Sequence, residues 1–240
     1  LVGSEMCIRD RLYCRKYLMR AAVIVFPGSN CDRDLVVALR DTGADVSIIW
    51  HKETEIPTNF DLIAIPGGFS FGDYLRCGAI AAKSPICEAV LKHANNGGYV
   101  LGICNGFQIL IEMGLIPGAL MRNSGLKFLC KTPELKVETH DSAFTANYLK
   151  FEKIKIPVAH HDGNYFLSEK QLGVLRDEDR VAFSYLNDLN GSVDGIAGVL
   201  SSNRRILGMM PHPERAMNLV TGSSDGQAFF RALVELTGAA

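Results

Sequence analysis

Cys104 stands between two glycines in the segment GYVLGICNGFQIL, residues 98–110. The apolar run Tyr99–Ile103 predicts a buried strand, and Phe107–Met113 predicts a helix that ends at Gly114. A Gly-x-nucleophile-x-Gly sequence at such a turn lifts the nucleophile above the sheet, and the start of the following helix favours a thiolate. A lone cysteine is more often a buried structural residue, but this context makes Cys104 a candidate nucleophile.

A cysteine nucleophile needs a base, and the base needs a group that orients it. The segment GMMPHPERA offers His212 and, two residues later, Glu214. Residues at i and i+2 of an extended segment point to the same side, and Pro211 and Pro213 keep this segment out of a helix. An exposed loop histidine is the alternative. The spacing nevertheless predicts a triad of the order Cys…His…Glu.

Two other chemistries are less well supported by the sequence. The glycine-rich PGGFSFG lacks the lysine that a phosphate-binding Gly-x-x-x-x-Gly-Lys-Ser/Thr loop requires. A zinc site built on Cys104 and His212 would need two further ligands, and the sequence shows no tight ligand pair near them. We therefore expect neither a metal nor a cofactor in this chain.

The elements that must position these residues alternate between strand and helix from Met19 onward. This alternation predicts an α/β fold with a doubly wound, mostly parallel sheet. In such a sheet ligands bind at the carboxyl ends of the strands, where FPGSNCD, PGGFS and CNG would meet. The expected elements are strands at Ala21–Phe26, Val46–Trp50 and Leu62–Ile65, and helices at Asp32–Arg40 and Ile80–His93.

The pattern changes beyond Gly118, where short strands indicate an antiparallel insertion in the C-terminal half. Ser168 and Gln171 match a capping box at the start of a helix, and a last helix is expected from about Asp225 to Leu236. No linker or repeat interrupts the chain, so one domain is expected. The expected strands are Lys127–Lys131, Lys136–Thr139, Ile154–Ala159, Val181–Leu186, Gly195–Leu200 and Ile206–Met210.

Composition narrows the class of protein. The 240 residues are 48% hydrophobic and 21% charged with a formal net charge of −1, so no basic face for nucleic acid is expected. No apolar run approaches the roughly 18 residues that cross a membrane. Seven cysteines without metal-type pairs favour reduced thiols and a cytoplasmic location. Residues 1–18 mix charged and apolar residues, which predicts a non-native or disordered leader before a domain at 19–240; a native amphipathic extension is the alternative.

The segments GICNGFQIL and PHPE together resemble the triad-type, class I glutamine amidotransferases, which have a flavodoxin-like fold. Further segments resemble one branch of that family, the glutaminase subunits of phosphoribosylformylglycinamidine synthase, and the resemblance runs from Met19 nearly to the C-terminus. One departure is AHHDGNYF, where His161 and Asp162 replace the usual Gly and Glu in the loop over the substrate. The segments that carry the branch are FPGSNCDRDL, GGFSFGDYLRCGAIA, IPVAH and NGSVDGIAGV.

The resemblance implies hydrolysis of L-glutamine to glutamate and ammonia. Cys104 would attack the side-chain amide, His212 would protonate the departing ammonia, and Glu214 would hold His212. Backbone N–H groups would form the oxyanion hole, and Gln108 would contact the substrate, although an ordinary helix-surface glutamine is the alternative. The residues implied in the oxyanion hole are Asn105 and the loop of Gly67, Gly68 and Phe69.

The resemblance also implies partners. Ammonia would pass to a separate synthetase subunit, which uses ATP and Mg²⁺ to convert formylglycinamide ribonucleotide into the amidine in purine biosynthesis, and a small accessory subunit would complete the complex. Two alternatives remain at this point: a cysteine-elbow hydrolase of another substrate class, and a non-catalytic scaffold subunit.

Overall fold

A computed structural model describes residues 18–57 and 59–237. Its centre is a nine-stranded sheet of order β2-β1-β3-β4-β13-β12-β11-β7-β8. The strands are β1 Arg20–Val25, β2 Asp45–Trp50, β3 Leu62–Ile65, β4 Tyr99–Ile103, β5 Ala119–Met121, β6 Leu129–Lys131, β7 Glu134–Val137, β8 Lys153–Lys155, β9 Val158–His160, β10 Asn164–Phe166, β11 Val181–Tyr185, β12 Ile196–Leu200 and β13 Ile206–Met209. The α-helices are α1 Asp32–Asp41, α2 Ile86–Asn95, α3 Asn105–Glu112, α4 Glu169–Asp177 and α5 Gly226–Thr237.

The first half of the sheet is parallel, as predicted. β2, β1, β3, β4 and β13 pair in parallel, and β3, β12 and β13 are buried at every position. Strands covered on both faces lack polar alternation, which is why their sequences are continuous apolar runs. The buried side chains of both halves form one hydrophobic core.

The second half contains the predicted antiparallel strands, but one of them is wrong. The segment Ile154–Ala159 is two strands: β8 pairs with β7 in the main sheet, whereas β9 pairs with β6 in a separate two-stranded sheet. Pro157 lies between them and lacks the N–H that a continuous ladder needs. A further pair, β5 and β10, forms the third sheet.

The predicted helix Ile80–His93 is also wrong in its extent. A 3₁₀ turn at Ala81–Lys83 is followed by extended backbone at Ser84 (φ −67°, ψ 148°), and α2 starts only at Ile86. The residue before a proline avoids the helical region, so Pro85 separates the two. The capping box of Ser168 and Gln171 is confirmed.

Residues 1–17 of the expected leader lie outside the described residues. Met19, at which the domain was expected to begin, is fully buried immediately before β1. Over the residues that the structure describes, the helices are too short or too polar to cross a membrane.

Candidate active site

The turn at Cys104 has the geometry expected of a nucleophile elbow. Cys104 lies between β4 and α3 with φ 51° and ψ −106°, a strained backbone for a residue with a side chain. A Cβ on Gly106 would lie 2.1 Å from the carbonyl oxygen of Ile65, and one on Gly102 would lie 2.7 Å from the Gly106 backbone. Both glycines are therefore required by close packing. The Cys104 N–H donates to the Met209 carbonyl at 2.7 Å, which ties the elbow to β13.

The same strand brings His212 to the elbow. β13 lies parallel to β4, with Met209 opposite Ile103, so the segment after β13 emerges beside Cys104. The His212 N–H donates to the Pro157 carbonyl at 2.8 Å. Its ring Nδ1 lies 2.6 Å from Glu214 Oε1, and both side chains are buried. The structure thus brings Cys104, His212 and Glu214 together.

The charges around His212 decide its protonation. Burial alone would lower its pKa, but the Glu214 carboxylate and then the Cys104 thiol act in the other direction. Together with the neighbouring thiol of Cys31, they hold the pKa of His212 well above its ordinary value of 6.5. A protonated imidazole beside the sulfur stabilises a thiolate and can donate a proton to a leaving group.

The glycine-rich loop after β3 packs against the loop after β1. A Cβ on Gly68 would lie 2.6 Å from the Gly28 carbonyl oxygen, and one on Gly67 would lie 2.7 Å from His212 Cε1. The Phe69 N–H donates to the Gly28 oxygen at 2.9 Å. The Phe69 N–H therefore already has a partner, and the oxyanion role expected of the Gly67–Phe69 loop stays a prediction. The Asn30 and Phe69 N–H groups bond across the bridge between Ser29 and Gly68, so we expect the oxyanion donor of this loop to be the Gly68 N–H.

Asn105 and Gln108, both buried, connect three parts of the site. Asn105 Oδ1 accepts from the Ser70 N–H at 3.1 Å, and its Nδ2 donates to Gln108 Oε1 at 2.8 Å. Gln108 Nε2 donates to the Asp162 carbonyl at 2.8 Å. The alternative of a helix-surface glutamine is therefore wrong, while a contact of Gln108 with substrate stays a prediction.

Two carboxylates near Gln108 are site residues that sequence reasoning missed or did not assign. Burial raises the pKa of Asp73, a hydrogen bond with Cys77 opposes the shift, and the charge of Asp162 adds to it. Asp162 accepts from Arg122 Nε at 3.3 Å and from the Cys77 thiol at 3.7 Å. The position of Asp73 directly after PGGFSFG was the available signal.

Tyr185 and Cys31 were also missed. Burial, followed by the nearby Cys104, raises the pKa of Tyr185, and among the described residues its hydroxyl has no hydrogen-bond partner. Cys31 lies at the start of α1, and its sulfur, a His212 ring nitrogen and a Glu214 oxygen are all within 4.8 Å of one another. No tight ligand pair near His212 is visible in the sequence, because Cys31 reaches it only through the fold.

The histidines of AHHDGNYF have other surroundings. His160 is buried with Nδ1 3.0 Å from Asn123 Oδ1. Burial, and then the charge of His212, lower its pKa to about 4. His161 Nε2 lies 3.4 Å from the Leu126 carbonyl at the surface. Neither is paired with a carboxylate as closely as His212 is with Glu214.

Comparison with known proteins places this geometry in a family. The profile of the CobB/CobQ-like glutamine amidotransferase domain matches residues 18–228. The phosphoribosylformylglycinamidine synthase subunit PurQ of Ruegeria sp. is 62% identical over 215 residues, 90% of this chain and 97% of that protein. PurQ of Roseobacter denitrificans is 64% identical with the same coverage. The structure of PurLQS from Thermotoga maritima includes a chain that is 44% identical, with a TM-score of 0.84 and coverage of 91% of this chain and 99% of that one. The chain therefore belongs to the CobB/CobQ-like glutamine amidotransferase domain family and, within it, to the PurQ subunits of phosphoribosylformylglycinamidine synthase.

Proposed function

We propose that this chain hydrolyses L-glutamine as the glutaminase subunit of phosphoribosylformylglycinamidine synthase, with Cys104, His212 and Glu214 as its catalytic residues. The observation that carries the assignment of residues is the buried His212–Glu214 pair beside a strained cysteine at the carboxyl ends of β4 and β13. The membership of the PurQ family supports the substrate.

The reaction follows from the positions of these groups. The Cys104 thiolate adds to the side-chain carbonyl carbon of glutamine, and the resulting oxyanion accepts hydrogen bonds from the Asn105 and Gly68 N–H groups. His212 gives its proton to the amide nitrogen, so that ammonia leaves and a thioester remains. Neutral His212, held by Glu214, then takes a proton from water, which attacks the thioester and releases glutamate.

The carboxylates of Asp73 and Asp162 support the choice of an amino-acid substrate. Both residues lie beside the Asn105–Gln108 pair: Asp73 Oδ1 accepts from Asn105 Nδ2 at 3.4 Å, and the Asp162 carbonyl accepts from Gln108 Nε2 at 2.8 Å. The two side chains are close enough for the charge of Asp162 to raise the pKa of Asp73. A pair of carboxylates suits the α-ammonium of glutamine. We assign them to that group.

The proposal extends to the complex. Ammonia released here is used by the synthetase subunit, which uses ATP with Mg²⁺ for conversion of formylglycinamide ribonucleotide into the amidine, and a small accessory subunit completes the assembly. This chain supplies no cofactor to the reaction, and a cytoplasmic location accords with reduced cysteines. The similarity to a chain of PurLQS from Thermotoga maritima supports a multi-subunit assembly.

The test is ammonia release from glutamine, measured in the complex reconstituted with the synthetase and accessory subunits. Cys104→Ser should abolish it, because a hydroxyl lacks the thiolate character of cysteine. His212→Ala should be nearly as severe, and Glu214→Gln milder, because Glu214 orients rather than transfers protons. Cys130→Ser, at an exposed cysteine on β6, is the control.

Two results would contradict the assignment. If Cys104→Ser releases ammonia at more than a few per cent of the rate of the unmodified protein, Cys104 is not the nucleophile. If the unmodified complex forms the amidine at full rate from added ammonia but not from glutamine, this chain is a non-catalytic scaffold subunit instead.

A further inference from the structure

Cys31 lies in the active site, yet no step of the glutamine reaction needs it. Its sulfur, a ring nitrogen of His212 and a carboxylate oxygen of Glu214 lie within 4.8 Å of one another, and all three side chains are buried. A thiol, an imidazole and a carboxylate are the ligand types of protein zinc sites.

The spacing is close to that of a metal site. Zn²⁺ binds sulfur at about 2.3 Å and nitrogen or oxygen at about 2.0–2.2 Å, so two tetrahedral ligand atoms lie roughly 3–4 Å apart. Side-chain movements of about 1 Å would bring ligands 4.8 Å apart into that range. No large backbone rearrangement is required.

Each member of the catalytic pair has one buried atom outside the hydrogen bond that joins the two side chains. Among the described residues, His212 Nε2 and Glu214 Oε2 have no hydrogen-bond partner, although Nδ1 and Oε1 bind each other at 2.6 Å. Buried polar atoms without a partner are rare in folded proteins, and a cation that displaces the His212 proton can bind one of these atoms.

Cys31 is held in place by hydrogen bonds of its backbone and its sulfur. Its N–H donates to the Gly67 carbonyl at 3.2 Å, and its sulfur accepts from Arg215 Nη2 at 3.1 Å. A Cβ on Gly67 would lie 3.1 Å from the Cys31 sulfur and 2.7 Å from His212 Cε1. The missing side chain at Gly67 lets sulfur and imidazole converge.

We propose that Cys31, His212 and Glu214 form an inhibitory site for Zn²⁺. The cation takes one ligand from each residue, with water or Cys104 in the fourth position, and both the Cys31 thiol and the protonated His212 imidazole release a proton on binding. His212 and Glu214 cannot serve as base and orienting group while they are ligands. The loss of activity rests on the proposed function, but binding of the metal does not.

The first experiment measures binding without activity. The full chain, freed of metal and kept reduced, is titrated with Co²⁺, which gives a thiolate-to-cobalt charge-transfer band in the near ultraviolet. We expect one equivalent to produce the band in the unmodified chain and in Cys104→Ser, and Cys31→Ser to lack it. A band that survives Cys31→Ser, or that is lost in Cys104→Ser or Cys77→Ser instead, would overturn the proposal.

The second experiment measures inhibition. Glutaminase activity is titrated with buffered free Zn²⁺, each variant being compared with its own zinc-free rate. Cys31→Ser should raise the half-inhibiting concentration at least about tenfold, since loss even of an outer-shell partner costs about 10–100-fold in metal affinity. Cys130→Ser should leave it unchanged. Equal inhibition of the unmodified chain and Cys31→Ser would refute the inhibitory site.

A third measurement needs no substitution and covers a variant that fails to fold. Bound Zn²⁺ should slow alkylation of Cys31 in the unmodified chain, followed by peptide mass spectrometry, while Cys130 reacts at an unchanged rate. Unaltered labelling of Cys31 at saturating Zn²⁺ would exclude this ligand. A chain that binds Co²⁺ through Cys31 but releases no ammonia would refute the proposed function and leave the metal site standing.

Discussion

His160 and His212 are both buried histidines, yet their surroundings shift them in opposite directions. His212 has a carboxylate at 2.6 Å, which outweighs the cost of burying its charge. His160 faces the neutral amide of Asn123 and lies near the charge of His212, so burial dominates. A histidine is a useful proton donor here only where a buried carboxylate accompanies it.

This contrast predicts a pH dependence of stability. The pKa of folded His160 is about 4 and that of the unfolded side chain 6.5, so the unfolded chain binds the proton first. Above pH 6.5 the neutral, buried His160 therefore contributes about 3 kcal/mol to the free energy of unfolding. This contribution is lost as the pH falls from 6.5 to about 4. His160→Gln should remove this part of the loss, measured as the free energy of urea unfolding at pH 7 and pH 4.

The exposed His140 provides the control. His140→Gln should lose as much stability on acidification as the unmodified chain does. If His160→Gln and the unmodified chain show the same loss, the buried, neutral state of His160 is wrong.

The residues predicted from sequence are those whose signal is local. Cys104 lies between two glycines, and His212 and Glu214 are two residues apart. Cys31 and Tyr185 were missed because their place in the site comes from contacts across the sheet, and one sequence contains no sign of those contacts. The same limit applies to the Phe69 N–H, whose bond to Gly28 joins two distant loops.

At the scale of elements, the loops after β1 and β3 act as one unit. The Phe71 N–H donates to the Pro27 carbonyl at 2.7 Å and the Phe69 N–H to the Gly28 carbonyl at 2.9 Å. Gly68 lies between these two bonds, where a Cβ would be 2.6 Å from the Gly28 oxygen and 2.7 Å from the Ser29 Cα. Its lack of a side chain allows close approach of two backbones, and we expect that approach to position the proposed oxyanion donor.

Gly68→Ala should therefore lower both stability and activity. Its Cβ would lie 2.6–2.9 Å from backbone atoms of three residues, so the loops must separate, at a cost of about 1–3 kcal/mol in unfolding free energy. Displacing one oxyanion donor costs about 10²–10³ in rate. Ammonia release and urea unfolding of the same preparation measure the two effects.

Gly43→Ala is the matched control, since Gly43 also has a positive φ (101°) but a Cβ at this position would meet nothing within 4 Å. It should lose stability while keeping its activity per folded molecule. Equal activities of the two variants would show that the Gly68 loop does not place an oxyanion donor.

Element boundaries were predictable only where the local sequence controls them. The capping box at Ser168 was correct because its partners lie three residues apart. The segment Ile154–Ala159 was continuous in its apolar pattern, but its two halves pair with different strands. Which strand a short segment joins depends on distant partners, so the break at Pro157 could not be located from hydropathy alone.

At the scale of the molecule, the sheet order explains how residues over 100 positions apart in sequence meet. β13 returns to the middle of the nine-stranded sheet, parallel to β4, and so carries His212 to Cys104. The antiparallel strands that follow in the sheet order place Tyr185, at the end of β11, near the same site. Alternation of strand and helix predicted the parallel half, but nothing local in the sequence specified this return.

One surface segment near the active site, Tyr74 and Leu75, combines exposed apolar side chains with an unfavourable backbone conformation. Leu75 is 90% exposed and has a φ of 64°, and the neighbouring Tyr74 is 74% exposed. A leucine is unfavourable in the left-handed region and gains no burial there. The segment directly follows Asp73, which contacts Asn105 at 3.4 Å. Because exposed apolar residues on unfavourable backbone are typical of binding surfaces, we expect this segment to contact a partner.

Leu75→Asp should therefore weaken the complex and spare the enzyme. Asp tolerates the left-handed region better than leucine, so the unfolding free energy should be unchanged or higher, and the basal ammonia release of the isolated chain should be unaltered. Binding to the synthetase subunit should weaken at least about tenfold, since burying an unpaired charge costs more than about 1.4 kcal/mol. Leu149→Asp, 77% exposed in the loop before the edge strand β8, should bind normally. If titration calorimetry gives the same affinity for both variants and the unmodified chain, the synthetase does not dock on Leu75.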